Sequence, residues 1–127
     1  MIVVDASAAV SGLLNDGQAR RALGAEQIHM PHLIDSEVAS ALRRRVLAGQ
    51  VSERDGWAAL DVWRRLAAIR YPAHGLLERV WQLRTNLSAY DAGYVALAEA
   101  LDCSLLTADA RLSRAPGIRC AVTVVPR

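Results

Sequence analysis

Apolar and polar positions along this chain change their period several times, and each change marks a predicted element. Met1 to Val4 is a short β-branched run that stops at Asp5, and the Ala-rich segment Ala6 to Leu14 follows, so the chain opens as strand then helix. Asp5 falls at the C-terminal end of that strand. Asn15, Asp16 and Gly17 form a turn, a second short helix runs through Leu23, and Gln27 to Met30 is a strand closed by Pro31. The next helix is predicted from about His32 to Ala48, with Gly49 at its end. Ser52 then caps a helix carrying Ala59, Val62, Trp63, Leu66 and Ile69 on one stripe, which completes a helical hairpin.

Tyr71 and Pro72 end a brief extended piece, and Leu76, Leu77, Val80, Trp81 and Leu83 mark a further helix that gives way near Asn86. Ser88 starts a helix to Leu101 that is apolar or small on nearly every face, the pattern of a helix buried in a core. Cys103 to Thr107 reads as a strand reaching Asp109. A short helix around Leu112, a turn at Pro116 and Gly117, and a last strand from Ile118 to Val125 complete the chain. Strands alternating with helices indicate an α/β sandwich around a mainly parallel sheet.

Composition narrows this. At 127 residues, 53% hydrophobic and 22% charged, the chain suits one domain spanning residues 1–127 with a large core, and it is not disordered. No apolar run approaches the roughly 20 residues of a membrane span, so a cytoplasmic protein with no membrane association is expected. Cys103 and Cys120 lack the spacing of a zinc site or a disulfide framework. A net charge of +2 does not announce a nucleic-acid partner. All 15 basic residues are arginine, which fits base bias in a genome and also suits bidentate contact with phosphate. Arg43, Arg44 and Arg45 form a solvated helix face or, with Arg64 and Arg65, line a groove for an acidic or phosphate partner. Trp57 lies off the main stripe of its helix, as an interface anchor or as a core residue.

In a parallel α/β sheet ligands bind beyond the C-terminal ends of the strands. Asp5 and Asp109 both fall there, whereas Asp102 precedes its strand and is assigned to a loop or helix-end role. Asp91, three residues after Ser88, is either the acid of a capping box or a site carboxylate carried by a buried helix. Glu37 borders the apolar stripe of its helix, with Leu33, Ile34, Ser40 and Ala41 one turn away. Asp35 is almost as close, and spacing alone does not choose between them.

Four segments carry a resemblance: Met1-Ile-Val-Val-Asp-Ala-Ser, Pro31-His-Leu-Ile-Asp-Ser-Glu-Val-Ala-Ser-Ala-Leu, Leu87-Ser-Ala-Tyr-Asp-Ala and Leu105-Leu-Thr-Ala-Asp-Ala-Arg-Leu. In this order and spacing they resemble the acidic blocks of PIN-domain proteins, most closely the VapC toxins of type II toxin–antitoxin (VapBC) pairs. The resemblance implies a three-layer α/β/α sandwich with Asp5, Glu37, Asp91 and Asp109 as an acidic quartet. Ser7 and Thr107 match positions where the family often has a small hydroxyl residue, and Asp35 matches no invariant position and stays a second-tier candidate. Where the family usually has Asn one turn after its Glu, this chain has Ser40 or Ala41. A homodimer is implied as well, together with a VapB-type antitoxin whose C-terminal arm occupies a groove on the toxin.

Clustered carboxylates raise one another's pKa, so four of them stay ionised only around a cation, and oxygen-only ligands favour Mg²⁺ or Mn²⁺. Asp5, Asp91 and Asp109 are expected to ligate it directly or through water, with Glu37 as a further ligand or as the base orienting the attacking water. Such a site serves phosphodiester hydrolysis, here expected in loops of tRNA or rRNA. The alternatives are a structure-specific DNA nuclease, whose relatives are longer chains, and a degenerate PIN scaffold, whose usual mark is loss of acids. A phospho-receiver domain needs a lysine, and a dinucleotide-binding fold needs a Gly-rich turn after the first strand. This chain has neither.

Overall fold

Each change of period in the sequence is a change of element in the folded chain. The computed structural model describes residues 1–127, in the order β1 (Ile2–Val4), α1 (Ala6–Leu14), α2 (Gln18–Ala25), β2 (Ile28–Pro31), α3 (Ile34–Leu47), α4 (Glu53–Arg65) and β3 (Ile69–Tyr71). A single 3₁₀ turn (His74–Leu76) leads into α5 (Leu77–Gln82), followed by α6 (Ala89–Leu101), β4 (Ser104–Thr107), α7 (Ala110–Ser113) and β5 (Val122–Val124). No helix is long and apolar enough to cross a membrane.

The five strands form one sheet in the order β3-β2-β1-β4-β5, and every pairing is parallel. The chain winds outward from β1 through β2 to β3, then crosses back over to β4 and β5. Because parallel crossovers are right-handed, the reversal of direction puts α1 to α4 on one face and α5 to α7 on the other. The result is a three-layer α/β/α sandwich. The gap between β1 and β4 is its switch point, the place where an open parallel sheet leaves a crevice at its C-terminal edge.

Burial on both faces explains the unbroken apolar runs of the central strands: Val3, Val4 and Leu105 are fully buried and Leu106 nearly so. Helix α6 covers one face with Ala92, Tyr94, Val95, Leu97 and Ala98, whose many small side chains let it lie close on the sheet. On the other face α1 and α2 touch at Gly12, where an added Cβ would come within 2.5 Å of Leu23 Cδ1. Helix α3 ends at Leu47, and Gly49 turns the chain with φ +73° toward Ser52, whose hydroxyl accepts the Asp55 N–H and caps α4.

Several expected boundaries move. The final strand covers only Val122–Val124, because β4 is itself four residues long and offers partners only from Leu105 to Thr107. Helix α4 stops at Arg65, so Ile69 leaves the predicted stripe and pairs with His29 as part of β3. Ala59 and Trp63 face the core from α4, but Val62 is exposed, and so is Trp57. Pro31 closes β2 from inside the strand, paired with Tyr71 of β3 beyond the point where the β1 ladder ends.

Candidate functional site

Crossover helices run antiparallel to the strands they join, so helix N-termini and strand C-termini gather at one edge of the sheet. Asp5 follows β1 and Asp109 follows β4, on the two sides of the switch point. Glu37 stands in the first turn of α3, on one helical layer, and Asp91 in the first turn of α6, on the other. Four carboxylates thus reach one crevice from two strands and two layers.

Asp5 is the most tightly held. Its Oδ1 accepts the Ala8 N–H at 2.9 Å, capping α1, and the Ser7 hydroxyl at 2.7 Å, while Oδ2 accepts the Thr107 hydroxyl. Ser7 and Thr107 are fixed in turn by the Ala108 and Asp109 N–H groups, at 2.9 and 3.0 Å. Both hydroxyl protons are therefore spent on Asp5, and its Oδ2 keeps a lone pair free. At 4% exposure burial outweighs these three hydrogen bonds, and with the nearby Asp109 charge it raises the Asp5 carboxyl above the usual range.

The other acids feel the same field. Burial raises the Asp91 carboxyl, and the charges of Asp5 and Asp109 push it further, against the hydroxyl of Ser88. The Ser88 hydroxyl also accepts the Asp91 N–H at 3.2 Å, so Ser88 caps α6, while the Asp91 carboxylate faces the other acids and makes no return bond to the Ser88 N–H. Burial likewise raises Glu37, helped by the charges of Asp91 and Asp5 and opposed by the Tyr94 hydroxyl, which donates to its Oε1 at 2.7 Å. Asp109 is the exception. Hydrogen bonds from the Arg111 guanidinium, 2.8 Å away at the closest, hold it below the ordinary carboxylate range despite partial burial.

Asp35 goes elsewhere. Both its oxygens accept from the Arg70 guanidinium, at 2.7 and 2.9 Å, and Oδ1 also takes the Trp63 indole N–H at 2.9 Å. It ties α3 to α4 and β3, and the Arg70 hydrogen bonds lower its pKa. Asp102 ends α6 in the left-handed region with φ +52°, at the opposite edge of the sheet from the crevice.

Two participants escaped the sequence reading. Tyr94 lies one turn beyond Asp91 on α6, a spacing that places both on one face, yet it read as one more core residue. Arg111, two residues after Asp109, had no signal beyond proximity. A groove of about 1270 Å³ opens from the crevice, with Ser7, Glu37 and Tyr90 at one end and Arg44 and Arg45 at the other. The predicted basic lining is thus met by Arg44 and Arg45 from α3, while Arg64 and Arg65 pair with Asp61 instead.

The donor set is hard oxygen only, and three of its four members have carboxyls raised by burial and mutual repulsion, a state a divalent cation would relieve. No three of these side chains close into a tight ligand cage.

The PIN-domain family model matches residues 2–118. The chain is 61% identical over 127 residues to VapC ribonuclease Mb0985 of Mycobacterium bovis, with 100% of both chains covered. It is 49% identical over 128 residues to ribonuclease VapC1 of Mycobacterium tuberculosis, covering 97% of this chain and 96% of that one. Among solved structures, a toxin–antitoxin complex from Klebsiella pneumoniae shares the fold with a TM-score of 0.69 at 20% identity, over 100% of both chains.

Proposed function

The chain belongs to the PIN-domain family, in its VapC-type branch, and from that premise we propose that it is a toxin that cleaves RNA by metal-dependent hydrolysis at Asp5, Glu37, Asp91 and Asp109. The observation that carries this reading is the convergence of four carboxylates on the switch-point crevice, where three are held above their ordinary pKa by burial and by one another. A divalent cation held among them would relieve that repulsion and offer a positive centre to a phosphate.

Asp5, Asp91 and Asp109 are the residues that would hold Mg²⁺ or Mn²⁺. When bound, the ion supplies charge neutralisation at the phosphate and eases ionisation of an attacking water. Asp5 offers the free lone pair on Oδ2, and Ser7 and Thr107 keep that carboxylate in one orientation. Glu37 is the base: Tyr94 occupies Oε1, which leaves Oε2 to accept the proton of water, and its raised pKa brings it closer to the range a base needs at neutral pH. Asp109 would join the residues that hold the ion by releasing Arg111, whose guanidinium is exposed.

Cleavage of structured RNA should require Mg²⁺ or Mn²⁺, stop with EDTA and leave 5′-phosphate ends. Cyclic phosphate ends would mean that the 2′-hydroxyl of the RNA attacks, and would overturn the roles given to the acids. The likeness to a toxin–antitoxin complex supports a cognate VapB-type antitoxin as partner. Exposed Leu47, Trp57 and Val62 on the α3–α4 hairpin support a homodimer, which sedimentation of the purified chain would test.

A further inference from the structure

Six aromatic side chains serve this protein, three Trp and three Tyr. Trp63 packs in the core and donates to Asp35, Tyr71 stacks on His29 with ring centroids 5.6 Å apart, and Tyr94 holds Glu37. The other three, Trp57, Trp81 and Tyr90, face solvent. Two of these carry a guanidinium over the ring, Arg64 at 5.9 Å from Trp57 and Arg84 at 4.4 Å from Trp81. Tyr90 has no such partner, is 59% exposed, and alone among the exposed aromatics borders the groove that leads from the acids.

We propose that Tyr90 is the stacking platform for a nucleobase beside the scissile phosphate, and so a positioning residue for single-stranded RNA. The inference rests on the ribonuclease reading above. Tyr90 lines the groove together with Ser7 and Glu37, so a base on its ring lies close to a phosphate held at the acids. At the far end of the same groove Arg44 and Arg45 supply positive charge. A cationic track with an aromatic platform is the usual construction for gripping single strands, because stacking accepts the π-face of any base.

The test uses the full chain carrying Asp5→Asn, so that RNA binds without being cut, and two fluorescent probes of equal phosphate count. One is a short single-stranded RNA of mixed sequence, the other a backbone lacking all its bases. Tyr90→Leu, which keeps bulk and loses the π-face, should weaken binding of the base-bearing strand roughly 5- to 100-fold and leave the base-free strand unchanged. Tyr90→Phe should restore binding to within about twofold, since the π-face returns. An equal loss on both probes, or on neither, overturns the stacking role. If the chain with Tyr90 intact binds neither probe, the ribonuclease reading itself falls and takes this role with it.

Discussion

Asp5 has two duties, joining the ends of β1 and β4 and carrying charge, and Asp5→Asn separates them. The amide oxygen would take the place of Oδ1, with the Ala8 N–H and the Ser7 hydroxyl as donors at 2.9 and 2.7 Å. The amide nitrogen would then donate to Thr107, whose proton turns to Ser7, 3.2 Å away. Every donor of the wild-type site keeps a partner, and the second amide N–H takes the side on which Oδ2 had its free lone pair. Three bonds to a charged acceptor become bonds to or from a neutral amide, each weaker by about 1 kcal/mol. Against that stands the cost of burying the charge, and the raised pKa of Asp5 says that this cost exceeds what the hydrogen bonds return. Asp5→Asn should therefore change stability by no more than about 1 kcal/mol. Asp5→Ala removes the cap of α1 and leaves one of the two hydroxyls unpaired, at a cost of about 2–4 kcal/mol. Linkage gives a second check. A carboxyl whose folded pKa is raised loses stability as pH climbs from its unfolded value, about 3.9, through the folded one. The Asn variant lacks that loss, so the difference between the two proteins should move in its favour over that window and stay flat below it. Urea unfolding in chelator across a pH series measures both quantities. A loss above about 3 kcal/mol for Asn, or a difference that moves against Asn as pH rises, would refute the hydrogen-bond and burial argument. In a bacterial host the wild-type chain without its partner should arrest growth, and Asp5→Asn should relieve the arrest at equal soluble yield.

Asp109→Asn should abolish metal-dependent cleavage, whereas Asp102→Gly, at φ +52°, should leave cleavage intact and stabilise the fold by up to about 1 kcal/mol; matched rates and melting curves decide between them. Asp35→Asn should leave cleavage unchanged and cost about 1 kcal/mol, because its bond to Arg70 is partly open to solvent. Glu99 accepts from Arg79 at 2.6 and 3.1 Å and from the Arg119 N–H at 2.7 Å, so Glu99→Gln should cost about 2 kcal/mol. Burial opposes that carboxylate, but Arg79 and Arg119 outweigh it and its folded pKa is lowered. Its stabilisation is therefore complete above about pH 4.3 and lost as pH falls through the folded value, a loss Glu99→Gln should lack in acid unfolding curves.

Elements whose side chains meet the core on every face were legible from sequence, and those set by distant pairing were not. Helix α6 declared itself by its small apolar residues, and β1 and β4 by unbroken apolar runs between polar stops. The length of β5 depends on how many β4 residues remain to pair with it, and nothing local to Ile118 or Val125 encodes that number. Ile69 fitted a helical stripe only if α4 ran on past Arg65, whereas Val62 lies within α4 and fitted the spacing but faces solvent. The acids at strand ends followed from strand direction, because a parallel sheet puts Asp5 and Asp109 on one edge and Asp102 on the other. Glu37 and Asp35 did not separate by spacing, since two positions two residues apart on a helix both border the apolar stripe. The fold parts them through Arg70 and Trp63, which lie 35 and 28 residues from Asp35.

The Thr107 hydroxyl and the Asp5 carboxylate it grips are 102 residues apart in the chain, and the Ala108 N–H and Ser7 are 101 apart. No continuous fragment shorter than the stretch from Asp5 to Asp109 can contain this crevice, however well its helices form. Pairs so remote are among the last to close when a chain folds, because the loop entropy must be spent before the contact rewards it. Activity is then a late and all-or-none reporter of folding. A nick in any link between these ends that lets β4 leave β1 should silence the molecule before its helices melt, and two halves that reassemble along that single seam should bring it back.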